Sequence, residues 1–196
     1  MIVGVLLAAG RGTRFGAHKL LQRMTDGVMI AEHAARNLVT ALPCSVAVIR
    51  PGDVELRDLL TGLGLAVVEC ATAAEGMGAS IACGVSAAPN ADGWMITLAD
   101  MPWIRPQTIF TLAQHLRFGA DMVAPLYQAQ RGHPVGFAAT YKASLSALRF
   151  DAGARAVIEA GHEHLVVMQT NDAGVVLDID VPSDVQRNIP TSISKC

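Results

Sequence analysis

Cysteine is scarce in this 196-residue sequence, and its four cysteines are scattered without a CxxC pair. That spacing is typical neither of a zinc site nor of a disulfide framework, so we expect reduced thiols in a cytoplasmic protein. Charged residues make up only 16% of the sequence, and the net charge is -2. A general nucleic-acid-binding protein would carry an excess of basic residues, so we do not expect that function. Because no apolar run is long enough to span a bilayer and no basic residues precede the short apolar start, we predict neither a membrane span nor a signal peptide.

Hydrophobic residues are abundant instead, at 52%, which argues against disorder, and the length fits one domain with one core. Apolar β-type runs alternate with segments of helical spacing. The predicted strands are Ile2–Leu7, Ser45–Ile49, Leu65–Glu69, Trp94–Leu98, Met122–Ala124, Val135–Ala138 and Leu165–Met168. The predicted helices are Met29–Leu38, Val54–Leu60, Ala79–Ala88, Pro106–Leu116, Ala143–Leu148, Ala154–Glu159 and Pro182–Asn188. Strands buried on both faces and separated by helices predict an α/β sandwich with a largely parallel sheet, formed by residues 1–188 and followed by a loose tail, 189–196.

The loop that follows the first predicted strand combines glycine with positive charge. It reads AAGRGTRFGAHK from Ala8 to Lys19. Glycine lets the backbone approach a ligand and turn its N–H groups toward it, and Arg14 and Lys19 can contact phosphate oxygens. The spacing matches neither the dinucleotide-binding pattern GxGxxG nor the P-loop. The loop therefore indicates an anion site of another kind, and a solvated surface turn is the alternative.

Aspartates follow two other extended segments, where ligands of a parallel sheet usually bind. Asp100 ends LAD after a buried strand, and Asp178 and Asp180 form a DxD pair. Residues i and i+2 of an extended segment share a face, and crowded carboxylates raise one another's pKa unless a cation lies among them. Mg²⁺ is commonly held by one or two carboxylates together with phosphate oxygens. Together with the loop, this pattern predicts Mg²⁺-nucleotide binding for phosphoryl-group chemistry, the alternative being aspartates that cap turns.

Six segments resemble the MobA-like nucleotidyltransferases, and most closely the molybdenum cofactor cytidylyltransferases among them. In family order they are LLAAGRGTRFGAHKLL (6–21), GMGASIACG (76–84), LADMPWI (98–104), RGHPVGF (131–137), DAGARAVI (151–158) and DIDVPSDV (178–185). The first segment is shared by many nucleotidyltransferases, whereas the fourth and fifth are more specific to this branch. The resemblance extends over nearly the whole chain.

The resemblance implies a single Rossmann-like three-layer sandwich with a mostly parallel mixed sheet. It also implies a Mg²⁺-dependent transfer of a nucleotidyl group from a nucleoside triphosphate to a phosphorylated acceptor, with release of pyrophosphate. In the cytidylyltransferase branch the nucleotide is CTP rather than GTP, the acceptor is molybdopterin carrying molybdenum, and a molybdoenzyme or its chaperone is the expected recipient of the product. A sugar or polyol phosphate acceptor and a non-catalytic nucleotide-binding regulator are the alternatives.

The same resemblance assigns roles to individual residues. The backbone of Leu7, Ala8, Ala9 and Gly10 would line the base and ribose, Arg14 and Lys19 would neutralise the phosphates, Gly78 and Ser80 would lie near the base, and Asp100 and Asp180 would bind Mg²⁺. His133 and Arg155 belong to the branch-specific segments and are expected to contact the acceptor. A hydrogen-bonded turn histidine and a helix-capping arginine are the alternatives for these two.

Overall fold

A computed structural model describes residues 1–10, 18–150 and 153–186. The strands in these ranges are β1 (Ile2–Leu7), β2 (Ser45–Ile49), β3 (Ala66–Glu69), β4 (Gly93–Leu98), β5 (Met122–Tyr127), β6 (Gln130–Arg131), β7 (Val135–Ala138) and β8 (Leu165–Gln169). The α-helices are α1 (Ile30–Ala41), α2 (Val54–Gly62), α3 (Met77–Ala87), α4 (Pro106–Arg117), α5 (Lys142–Ser146) and α6 (Arg155–Ala160). Every predicted strand is present within a few residues of its predicted bounds, and β6 was not predicted.

The strands form one mixed sheet in the order β3-β2-β1-β4-β7-β5, with β6 and β8 both paired to β5. The pairs β2–β3, β1–β2, β1–β4 and β5–β8 are parallel, and β7 runs antiparallel to both of its neighbours. Leu7, the last residue of β1, lies opposite Val48 of β2 and Leu98 of β4. The carboxyl ends of these three strands therefore meet at one edge, as predicted for a mostly parallel sheet.

Helices cover both faces of the sheet, because alternate residues of each inner strand point to opposite sides. In β1, Ile2 and Leu6 pack with apolar residues of α1, α2 and α4. Val3 and Val5 pack on the other side with residues of α3, α5 and α6. All six residues of β1 are buried, which explains why the strand is a continuous apolar run rather than an alternating one. The predicted three-layer sandwich is confirmed.

The predicted last helix, Pro182–Asn188, is instead a short 3-10 helix, Pro182–Gln186, and residues beyond Gln186 lie outside the described ranges. The Asp184 carboxylate accepts hydrogen bonds from the backbone N–H groups of Asp180 and Val181, at 2.9 and 3.0 Å. These bonds fold the chain into a tight turn before the segment, in place of the first turn of an α-helix.

Two predictions concern residues outside the described ranges, Arg14 of the glycine loop and the tail 189–196. Within those ranges, Cys44, Cys70 and Cys83 carry free thiols. In the same part of the chain, none of the helices combines the length and the apolar character that crossing a bilayer requires.

Candidate active site

A cleft of about 350 Å³ opens at the carboxyl edge of the sheet, a volume typical of small-ligand sites. One wall is the end of β1 with Gly10 of the glycine loop, and a second wall is the beginning of α3 with Ser80. Lys19 and Asp100 also line the cleft. The location agrees with the rule that ligands of open α/β sheets bind beyond the carboxyl ends of the strands.

Lys19 joins three distant segments of the chain at the cleft. Its side chain is only 9% exposed, and its Nζ donates to Asp100 Oδ2 at 2.8 Å and to Asp180 Oδ1 at 3.4 Å. The neighbouring Leu20 is buried in the hydrophobic core, and this packing holds the short 3-10 helix that begins at Lys19 against the core. The structure thus brings together three residues that the sequence predicted to share one site.

The DxD segment is held beside Asp100 by its backbone. Ile179 is fully buried, and its N–H donates to the backbone carbonyl of Asp100 at 3.0 Å. Asp178 and Asp180 flank this buried residue, so their carboxylates are on the same side of the chain. Sequence reasoning missed the buried Asp184 that fixes the next turn, although an aspartate within a proline turn is a common cap for preceding N–H groups.

Negative charge exceeds positive charge around Lys19. Burial raises the pKa of Asp178 above its ordinary value, and the charges of Asp180 and Asp100 raise it further. Lys19 contacts two of these carboxylates, Asp100 and Asp180, whose hard oxygen atoms suit Mg²⁺ or Mn²⁺. Among the described residues, no three His, Cys, Asp or Glu side chains converge as a complete metal site. The residues fit a metal that takes its remaining ligands from a bound phosphate.

His133 lies in the link between β6 and β7, and its backbone N–H donates to the carbonyl of Val175 at 2.8 Å. The preceding Gly132 makes this approach possible, because a Cβ there would lie 2.1 Å from the same carbonyl oxygen. Burial lowers the pKa of His133, and the nearby charge of Asp100 acts in the opposite direction. Burial therefore favours the neutral imidazole, and the side chain is near enough to Asp100 for that carboxylate to affect its pKa. Its buried Nδ1 has no hydrogen-bond partner within the described residues.

The predicted backbone contacts at the end of β1 divide into two kinds. Leu7, Ala9 and Gly10 line the cleft. Ala8 is buried, and its N–H donates to the carbonyl of Val48 in β2 at 2.9 Å. Ala8 therefore holds the strand end in place while its neighbours face the cleft.

The two predicted residues of α3 also differ. Ser80, in the first turn, lines the cleft. Gly78 is buried against the backbone instead, since a Cβ there would lie 2.8 Å from the carbonyl oxygens of Arg149 and Phe150. Gly78 thus sets how closely α3 approaches the segment after α5. Its neighbour Met77 is the residue that reaches the cleft.

Arg155 is the first residue of α6 and lies on the surface, where its Nε donates to Glu159 at 2.6 Å. Both side chains are exposed. No contact within the described ranges joins Arg155 to Lys19, Asp100 or the cleft walls. Residues 151 and 152, which precede its helix, lie outside those ranges.

Two further polar residues that line the cleft, Arg50 and His18, and their partner Asp53 were not predicted from the sequence. Arg50 directly follows β2 and lines the cleft together with His18. His18 Nε2 lies 2.7 Å from Asp53 Oδ2, and a terminal nitrogen of Arg50 lies 3.9 Å from the same oxygen. The position of Arg50 could have predicted it as a ligand contact, because ligand contacts are expected at the first residue after a buried parallel strand.

The model of the MobA-like NTP transferase domain matches residues 4–166 of this chain. No curated protein matches it. The crystal structure of Rv0371c from Mycobacterium tuberculosis has 25% identity and a TM-score of 0.80, covering 93% of this chain and 94% of that one. A manganese complex of Rv0371c has 24% identity and a TM-score of 0.69, covering 95% and 93%. Molybdopterin-guanine dinucleotide biosynthesis protein A from Archaeoglobus fulgidus shares the fold at 19% identity, with a TM-score of 0.63 and coverage of 94% and 95%.

Proposed function

The chain belongs to the MobA-like NTP transferase family, and we propose that it transfers the nucleotidyl group of CTP, in preference to GTP, to molybdopterin with release of pyrophosphate. The observation that carries the proposal is that Lys19 contacts both Asp100 and Asp180, and that Lys19 and Asp100 line the cleft. These residues come from three distant segments and have little structural reason to meet. A cluster of one buried cation and several carboxylates beside an open cleft is typical of a site that handles phosphate and metal together.

The reaction requires positioning and charge neutralisation more than covalent help from the protein. An oxygen of the acceptor phosphate forms a bond to the α-phosphorus of the nucleotide. The bond from that phosphorus to the bridging oxygen breaks, and the electron pair leaves with pyrophosphate. Because the acceptor phosphate is already anionic at neutral pH, the protein needs no strong general base. Lys19 places its ammonium group where the phosphates would lie.

We assign the metal to Asp100 and Asp180, with Asp178 as a nearby third carboxylate. A bound Mg²⁺ would neutralise the charge of the triphosphate and help to align it. The manganese complex of Rv0371c supports a divalent cation in a protein of this fold. The carboxylates keep the site negative, which favours capture of a cation even before a nucleotide arrives.

The nucleoside would lie along the end of β1 and the beginning of α3. Leu7, Ala9 and Gly10 offer backbone contacts there, and Ser80 offers a hydroxyl group. The first turn of α3 adds N–H groups without partners inside the helix, which favour a polar or anionic ligand. Arg14 belongs to the same proposed site as a phosphate contact, and Gly78 as the residue that sets the position of α3.

The acceptor would occupy the His133 side of the cleft. His133 is partly buried and lies near Asp100, burial favours its neutral form, and its buried Nδ1 has no hydrogen-bond partner among the described residues, so a ligand can supply one. The segments RGHPVGF and DAGARAVI, together with the fold shared with a molybdopterin-guanine dinucleotide biosynthesis protein, support molybdopterin as acceptor. Arg155 is proposed as a contact to the acceptor phosphate on the motif alone.

The proposal is tested by replacing each assigned metal ligand with its amide. Asp100→Asn and Asp180→Asn are expected to lower nucleotidyl transfer at least roughly a hundredfold while the melting temperature stays the same or rises, because each removes one of several crowded charges. Asp58→Asn, on the exposed face of α2, is the matched control and should keep full activity. Near-normal turnover of either site variant at saturating Mg²⁺ would show that its carboxylate is not a metal ligand.

A further inference from the structure

Arg50 lines the cleft two strands away from Asp100, one of the proposed metal ligands. It follows β2, whereas Asp100 follows β4, and β1 separates these two strands in the sheet. Neighbouring strands are about 4.8 Å apart, so the two strand ends are separated by roughly 10 Å. The cleft reaches both residues. A nucleotide with its phosphates at Lys19 would therefore extend its base toward Arg50.

The charge around Arg50 differs from the charge around Lys19. The positive charge of Arg50 lies beside the negative charge of Asp53. The Asp53 side chain is only 10% exposed, and its carboxylate is 3.9 Å from the guanidinium. One positive and one negative charge balance there, whereas Lys19 contacts both Asp100 and Asp180, with Asp178 nearby as a third carboxylate. With its two charges balanced, this region has no net charge that would favour a phosphate or a metal ion over an uncharged polar group. The region around Arg50 is therefore suited to a base.

Arg50 has hydrogen-bond donors to offer at this position. Its buried Nε has no acceptor within the described part of the chain, and the 3.9 Å separation from Asp53 exceeds hydrogen-bond length. A guanidinium group carries five N–H donors and no acceptor, so it can recognise only acceptor atoms. A donor left without a partner on the wall of a ligand cleft points to an acceptor on the ligand.

We infer that Arg50 donates to a ring carbonyl of the bound base and thereby selects against adenine, an inference that rests on the proposed nucleotidyltransferase function. Cytosine, guanine and uracil each present a carbonyl oxygen that projects from the ring, whereas adenine presents an amino group in place of one and has acceptors only within its rings. Asp53 acts as a positioning residue for the guanidinium. His18, bonded to the same carboxylate, ties the end of the glycine loop to this wall.

The test measures dissociation constants of CTP, GTP, UTP and ATP with Mg²⁺ by titration calorimetry. The unaltered protein should bind ATP at least tenfold more weakly than CTP. Arg50→Met should weaken CTP binding at least roughly tenfold and ATP binding less than about threefold, because only the former loses a charge-assisted hydrogen bond. Arg57→Met is the matched control, since Arg57 lies on α2 and pairs with Glu69 outside the cleft, and it should change neither constant.

A second variant, Arg50→Lys, keeps the charge but loses the planar fork, and it should also weaken CTP binding more than ATP binding. Thermal unfolding of both variants shows whether they are folded. Equal weakening for all four nucleotides would place Arg50 on ribose or phosphate, and no weakening would make it structural; either result overturns the inference. Failure of the unaltered protein to bind any of the four nucleotides would overturn the proposed function as well, so the two failures are distinguishable.

Discussion

Replacing Lys19 with methionine removes the ammonium group but keeps a side chain of similar length. In the intact protein this group donates to Asp100 at 2.8 Å and to Asp180 at 3.4 Å. Without it, these carboxylates and Asp178 face one another with no cation among them. We expect Lys19→Met to lower both the stability of the metal-free protein and its transfer activity.

The size of the loss follows from how deeply each partner is buried. Breaking a fully buried ion pair costs about 3–5 kcal/mol, whereas an exposed pair contributes about 0–1 kcal/mol. Lys19 is nearly buried, but Asp100 is 27% and Asp180 51% exposed, so solvent screens part of the interaction. We therefore expect a loss of about 1–3 kcal/mol, and for a domain of this size each kcal/mol lowers the melting temperature by about 2–4 °C.

The assay is thermal unfolding in EDTA and again in excess Mg²⁺. A bound cation can replace the missing ammonium group, so Mg²⁺ should raise the melting temperature of Lys19→Met more than that of the unaltered protein. Lys142→Met is the control, because Lys142 is a surface lysine that donates to the carbonyl of Pro89 far from the carboxylates. An unchanged melting temperature in EDTA, or the same Mg²⁺ response in both proteins, would refute the proposed role of Lys19 as the cation of this cluster.

The Lys19 substitution also separates phosphate contacts from base contacts. Lys19→Met should reduce turnover on the order of 10²–10³-fold and weaken CTP binding, while affinity for cytidine stays unchanged. Equal losses for nucleoside and triphosphate would mean that the side chain does not meet the phosphates.

Three further predictions concern other parts of the fold. His133→Ala and Arg155→Ala should each keep Mg²⁺-CTP affinity within about threefold while turnover with the acceptor falls at least roughly tenfold; loss of nucleotide binding in steady-state and titration measurements would move these residues to the nucleotide site. Gly132→Ala should lower stability by about 1–3 kcal/mol in urea unfolding, because its Cβ would meet a backbone carbonyl oxygen at 2.1 Å, and normal stability would show that the loop relaxes. Burial first, and then a neighbouring thiol, raise the pKa of Cys83 to about 11, so iodoacetamide at pH 8 should alkylate the exposed Cys44 and leave Cys83 unmodified in peptide mapping.

The strands other than β6 could be predicted because each of them coincides with a local run of apolar residues in the sequence. The run from Ile2 to Leu7 is apolar at every position, and only a strand covered on both faces buries it completely. The segment Pro182–Asn188 was predicted as a last helix, but Pro182–Gln186 forms only a short 3-10 helix. The Asp184 side chain accepts hydrogen bonds from the backbone just before the segment, and the spacing of apolar residues does not reveal such polar contacts.

The candidate site could be predicted in part, through the rule that ligands bind at strand ends and through motif resemblance. Asp100 and Asp180 were expected to lie together, and Lys19 does bridge them. Arg50 was missed because it belongs to no recognised motif. The packing of Gly132 against Val175 was also beyond sequence reasoning, because contacts between distant segments depend on the assembled fold.

The most direct test of the proposed activity is pyrophosphate release from each of the four nucleoside triphosphates, with Mg²⁺, in the presence and absence of molybdopterin. We predict release with CTP that depends on both Mg²⁺ and molybdopterin, is weaker with GTP, and is abolished by Asp100→Asn. Release that requires a sugar or polyol phosphate instead would contradict the assigned acceptor. No release from any nucleotide with any of these acceptors would contradict nucleotidyl transfer itself.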